Sequence, residues 1–168
     1  MFFFSHTFNN LEDVFWHIME DTYDAEIRLT TALQKMADAA TSQDLKQAFN
    51  DHLQETQVHI QRLEDCFRRC GCEPERETCE AMKGLIGEGN ESVSAEGDPH
   101  ARDAAMIAAA QKVEHYEIAA YGTLRTLAMQ CNKPELAPIF EQTLQEEKNT
   151  DLRLTGIAES HVNAMAQH

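Results

Sequence analysis

The chain is short of the residues that interrupt helices, with 4 prolines and 7 glycines among 168 residues, and those few fall between apolar-periodic segments. This favours an all-helical fold. Basic residues are scarce too: 14 Lys and Arg stand against 29 Asp and Glu, for a formal charge of −15. A phosphate backbone or an anionic membrane surface would be repelled, so neither nucleic acid nor membrane is an expected partner. No stretch stays apolar for the roughly eighteen residues that a membrane span requires. The apolar start, residues 1–5, lacks a basic n-region and is shorter than a signal core, so a cytoplasmic protein is expected. The 5 cysteines form no Cys-x-x-Cys pair, and their odd number argues against a disulfide framework. Cys66 reads as core. Cys70, Cys72 and Cys79 read either as ordinary reduced thiols or as a group responsive to soft metals or oxidants.

What is present is helical periodicity. One domain over residues 1–168 is expected from the length. A first helix over about 9–39 opens on Asn9-x-x-Glu12, a capping-box pattern, and a second runs over about 42–71 with Thr41 or Ser42 as its cap. The short link makes these two antiparallel. A long crossover follows, holding Pro74 and a short helix at about 76–95. Asp98-Pro99 then reads as cap and first residue of a helix over about 99–131, and Asn132-Lys133-Pro134 turns into a last one over about 133–162. Two antiparallel hairpins joined by one long crossover make a ferritin-like four-helix bundle.

The two hairpins also resemble each other in sequence. Residues 26–63 laid on 117–154 without a gap match at eleven of thirty-eight positions, where unrelated sequence would match at about one in fifteen. Apolar pairs such as Leu33/Leu124, Phe49/Phe140 and Leu63/Leu154 recur at helix-core spacing, and among them recur Glu26/Glu117 and Glu55/Glu146. A buried carboxylate costs several kcal/mol unless paired or bound to a cation, so four of them on facing helices point to metal. His52, Glu55 and His59, at i, i+3 and i+7, are expected to face inward together. Glu114 lies one turn from Glu117, and Glu147 and Asp151 lie near Glu146. Carboxylates from four helices with imidazole suit two adjacent ions of iron or manganese.

Several runs carry a resemblance: Asp21-Thr22-Tyr23-Asp24-Ala25-Glu26, His52-Leu53-Gln54-Glu55-Thr56, Cys79-Glu80-Ala81-Met82-Lys83-Gly84-Leu85-Ile86, and above all Gln111-Lys112-Val113-Glu114-His115-Tyr116-Glu117. Together with Glu146-Glu147-Lys148 they resemble the YciE/YciF family of bacterial stress-associated ferritin-like proteins over about residues 10–160. The resemblance implies a rubrerythrin-like bundle with a dinuclear metal centre, a homodimer, and a role in stress. The expected metal set is Glu26, His52, Glu55, Glu114, Glu117, Glu146, Glu147 and Asp151.

The pattern departs from the Glu-x-x-His of the wider di-iron group, since Val58 and Asn149 stand where histidines would be. His52 precedes Glu55 by three residues, which leaves it either a ligand, a partner to a ligand, or a buried structural histidine; His59 is the substitute at i+4. Tyr23, one turn before Glu26, has Glu114 as its counterpart. Tyr116 and Tyr121 are either packing aromatics or redox-active neighbours. Three functions follow: a dinuclear centre acting on oxygen or peroxide, iron sequestration, and a non-catalytic stress protein with a degenerate site. Without rubredoxin-like cysteine pairs, the first needs an external electron donor.

Overall fold

The computed structural model describes residues 6–167, so the apolar start over residues 1–5 lies outside the described residues. Among the described residues every regular element is a helix: α1 (Leu11–Ala39), α2 (Gln43–Arg69), α3 (Glu80–Ser94), α4 (Pro99–Gln130) and α5 (Ala137–Ile157). A π-helical turn at Ala158–Val162 and a last short turn at Asn163–Met165 extend α5. No helix among the described residues is long and apolar enough to cross a membrane.

Local chemistry sets the helix ends. The N-cap lies one residue later than the sequence pattern indicates: Asn10 Oδ1 accepts from Asp13 N at 3.0 Å, while the Asp13 carboxylate accepts from Asn9 N, one residue before the cap, at 2.7 Å. Ser42 caps α2 and Asp98 caps α4, with Pro99 at the first helical position. Gly71, at φ 75, takes the left-handed conformation that closes α2. The crossover helix starts at Glu80 rather than near 76, because Asp24 holds the preceding strap extended. The buried Asp24 carboxylate accepts from Arg76 Nη2 at 2.7 Å and from Cys79 N at 2.9 Å, and it also pairs with Arg28. Cys79 Sγ then caps α3, accepting from Met82 N at 3.2 Å. The last main helix starts at Ala137 rather than 133, since Asn132 takes φ 57 and Lys133–Leu136 form a turn first.

The core comes in two apolar blocks. One gathers Leu29, Leu33, Leu45, Phe49, Met106, Ala110 and Leu154. The other gathers Phe15, Met19, Leu63, Phe67, Leu124, Phe140 and Leu144. Along α1 and α5 the chain passes from the second block to the first, and along α2 and α4 from the first to the second, so each hairpin is antiparallel. Each fully buried Leu or Phe contributes about 1.5–3 kcal/mol of transfer free energy. Between the blocks, at mid-height on all four long helices, the buried side chains turn polar.

Candidate metal centre

The polar layer holds Glu26 of α1, His52, Thr56 and His59 of α2, Glu114 and Glu117 of α4, and Thr143, Glu147 and Thr150 of α5, all buried. They face inward because they continue the core register of their helices. On α2 the buried stripe is Leu45, Phe49, His52, Thr56, His59, Leu63, Cys66, and on α5 it is Leu136, Phe140, Thr143, Glu147, Thr150, Leu154, Ile157. Both follow alternate steps of four and three, the spacing that keeps one face toward a neighbouring helix.

His52, Glu114, Glu117 and Glu147 each offer a donor atom, all within 4.8 Å of one another; Glu26, His59 and Glu147 form a second such group. Glu147 belongs to both. Its Oε1 lies 3.0 Å from His59 Nδ1 and its Oε2 lies 3.6 Å from His52 Nε2. The two imidazole centroids are 6.4 Å apart with this carboxylate facing both. His59 Nδ1 also lies 3.3 Å from Glu26, and His52 Nε2 lies 3.4 Å from Glu114. None of these approaches has hydrogen-bond geometry. Buried atoms without a hydrogen-bond partner include one oxygen each of Glu26 and Glu114, both oxygens of Glu117 and of Glu147, His52 Nε2 and His59 Nδ1. Native interiors leave few polar atoms unpaired, and a concentration of them on one layer calls for a ligand of opposite character.

The outward nitrogens of the imidazoles are engaged. His59 Nε2 is 2.9 Å from Glu146 Oε2, and Glu146 is fixed in turn by Arg62 and Gln142. His52 Nδ1 lies 3.4 Å from both Glu55 Oε2 and Thr150 Oγ1. With Nε2–H of His59 donating to Glu146, the Nδ1 lone pair faces Glu26 and Glu147, and the same reasoning turns His52 Nε2 toward Glu114. A carboxylate that orients an imidazole from behind is the usual outer partner of a metal-bound histidine.

Electrostatics follow from burial and crowding. Burial raises the proton affinity of Glu26, Glu114 and Glu117, and neighbouring carboxylates add to it. Burial works against a charged imidazole, yet Glu114 and Glu147 outweigh it and push His52 up to about 9, while Glu26 and Glu147 push His59 to about 11. Glu147 stays low despite its burial because it faces both imidazoles. At the rim, Arg62 and His59 overcome partial burial and bring Glu146 down to about 2. Without a cation the layer therefore retains protons that a metal would displace.

Of the eight residues expected from the sequence, five come together inside: Glu26, His52, Glu114, Glu117 and Glu147. The duplicated Glu55 and Glu146 do not face inward. Glu55 is exposed and Glu146 is at the rim, each behind an imidazole, because both sit one residue off the core stripe. Asp151 is outside the cluster, accepting from Gln111 Nε2 at 3.0 Å. His59, expected only as a substitute ligand, and Thr56, for which no role is expected from the sequence, are both buried in the layer, and the four–three register of α2 is the signal that identifies them. Tyr121 donates to Glu26 Oε1 inside the layer, whereas Tyr23 donates to Glu64 and Tyr116 to Asp21 outside it. Cys66 and Cys79 are buried free thiols, Cys72 is exposed, and Cys66 is pushed by burial up to about 12, too high for ready thiolate chemistry.

Fold and site together define a helical-bundle protein with a buried histidine–carboxylate cluster at its centre. Comparison with known proteins gives the same class a family. Residues 10–167 match the family model described as "Domain of unknown function (DUF892)". Protein YciF of Escherichia coli (strain K12) is 48% identical over 159 residues, covering 94% of this chain and 96% of the relative. The chain belongs to this family, the YciF family of helical proteins. The crystal structure of the E. coli stress protein YciF superposes with a TM-score of 0.89 over 93% of this chain and 99% of that one. YcfI from Rhodopseudomonas palustris, described as a structural protein, superposes with a TM-score of 0.86 at 40% identity, covering 91% and 98%. A Xanthomonas campestris protein at 21% identity and a TM-score of 0.75 shares the fold.

Proposed function

We propose that the buried layer is a dinuclear carboxylate centre for iron or manganese, acting on oxygen or peroxide as part of a stress response. The observation that carries this reading is the set of unpartnered donor atoms on one buried layer, two imidazole nitrogens and six oxygens from four carboxylates. Two divalent ions against four carboxylates and two neutral imidazoles sum to zero charge, which removes the cost of burying the acids. His52, Glu114, Glu117 and Glu147 would hold one ion, and Glu26, His59 and Glu147 the other. An oxygen-rich donor set of this kind favours hard or borderline ions.

When bound, the metals supply Lewis acidity and a store of electrons. The chain's own residues do the rest. Glu146 and Arg62 fix the His59 ring from behind, Glu55 and Thr150 do so for His52, and Tyr121 holds Glu26. The two apolar blocks keep bulk water from the layer. Electrons for turnover come from an external donor, and the active unit is a homodimer. The protein acts in the cytoplasm. The description of YcfI favours, as second reading, a non-catalytic scaffold with a degenerate site. Chelation separates them: bound metal stabilises the folded state, by about 4 kcal/mol at a thousand times its Kd. A midpoint of thermal unfolding that drops on chelation and recovers with Fe(II) or Mn(II) supports the metal centre; an unchanged midpoint leaves the scaffold.

A further inference from the structure

Between α1, α3 and α4 lies an apolar cavity of about 20 Å³, lined among others by Leu33, Ile86, Gly89, Ala110, Val113 and Glu114. One water-sized molecule needs about 10–15 Å³, so there is room for one small guest. Glu114 brings the cavity to the polar layer: it is 1% exposed, its Oε2 has no partner, and it belongs to the cluster of metal donors. Asn90, the other polar lining residue, is exposed at the outer end. A water inside would want two to four polar contacts and meet one carboxylate, so the walls suit an apolar guest. Hydrogen peroxide, with two O–H donors to satisfy, is disfavoured on the same ground.

The crossover helix keeps this space open. Its inner stripe runs Met82, Leu85, Ile86, Gly89, Val93, and at its buried centre the large apolar residue is replaced by glycine. A Cβ built on Gly89 meets nothing within 4 Å. Glycine within a helix costs about 0.5–1 kcal/mol relative to alanine, and here no backbone contact requires it.

We propose that this cavity binds dioxygen and presents it to the cluster at Glu114, with Gly89 as the residue that leaves it room. The purpose of the cavity rests on the metal-centre reading; its occupancy does not. The test therefore has two arms. Full-length protein treated with Zn(II), to keep any bound metal diamagnetic, is placed under dioxygen pressure and its methyl relaxation followed by NMR. Methyls of Leu33, Ile86 and Val113 should relax at least several-fold more than those of Leu63 and Leu124 in the other core block. Gly89→Leu should abolish the difference and Gly89→Ala should reduce it; both replace a helical glycine and should fold. Uniform relaxation, or a selective effect that Gly89→Leu leaves intact, overturns the proposal.

In the second arm, anaerobic Fe(II)-loaded protein is mixed with dioxygen or with hydrogen peroxide. Dioxygen takes two electrons from two Fe(II) and two protons from solvent to give hydrogen peroxide. Gly89→Leu should slow oxidation by dioxygen at least tenfold and leave oxidation by added peroxide within twofold. Equal slowing by both oxidants, or none, contradicts a dioxygen site. A chain that takes up no metal sinks the metal centre while the relaxation arm still decides the cavity.

Discussion

The first hairpin, α1 with α2, brings one carboxylate and two imidazoles to the central layer; the second, α4 with α5, brings three carboxylates and no imidazole. Apart from Glu114, whose counterpart Tyr23 bonds Glu64 outside the layer, the ninety-one-residue offset equates the inward positions one by one: Glu26 with Glu117, His52 with Thr143, Thr56 with Glu147, His59 with Thr150. All eight are buried. The halves therefore share a frame and divide the chemistry unequally, with both nitrogen donors on one side and three of the four carboxylates on the other. The frame extends to the hairpin loops. Asp103 of the second half accepts from Thr41 N and Ser42 N of the first loop, and its counterpart Glu12 pairs with Lys133, the counterpart of Ser42. The ties are reciprocal although the residues differ.

The strongest way to break this comparison is at the shared carboxylate. Glu147→Ala should abolish binding of both ions, a loss beyond the roughly 100-fold seen for outer partners, while Thr56→Ala at the equivalent position should leave stoichiometry unchanged. Elemental analysis of both variants checks it. Next are the imidazoles. His59→Ala should remove the ion of the Glu26 group and leave one per chain, and His52→Ala should remove the other, read by titration with Fe(II) under argon.

A third contrast lies outside the layer. Asp24 ties the crossover strap through Arg28, Arg76 and Cys79 N, while its counterpart His115 is largely exposed. Asp24→Asn should destabilise the fold by about 3 kcal/mol, and His115→Ala by less than about 0.5 kcal/mol. Burial works against the Asp24 charge, but the hydrogen bonds from Arg28, Cys79 and Arg76 hold its carboxyl below the usual range. A depressed value contributes fully above the unfolded value of about 3.9 and is lost as pH falls through the folded one. The gap between wild type and Asp24→Asn in urea unfolding should therefore close in acid. The smallest effect separates the two outer carboxylates. Glu146→Gln should weaken metal binding about 10–100-fold, and Glu55→Gln less, since Glu146 lies 2.9 Å from its imidazole and Glu55 3.4 Å. Competition with a coloured chelator measures both.

Most of the fold was legible because four long helices with short links repeat one apolar pattern. The crossover was less so: the onset of α3 depends on Asp24, more than fifty residues away in sequence, and no local signal reports that contact. The site was legible in part. Identity across the duplication selected Glu55 and Glu146, yet these positions lie off the core stripe, and what the duplication preserved there is a carboxylate behind an imidazole. Of the donor positions only Glu26 and Glu117 match across the duplication; Thr56 against Glu147 and His59 against Thr150 had diverged, and there matching register finds what matching residues does not.

The most direct measurement is anaerobic titration of the full-length protein with Fe(II) or Mn(II), followed to saturation for the wild type and Glu147→Ala. The dinuclear reading predicts about two ions per chain in the wild type and none retained in the variant. Saturation at zero in the wild type, or equal uptake by the two proteins, would contradict it.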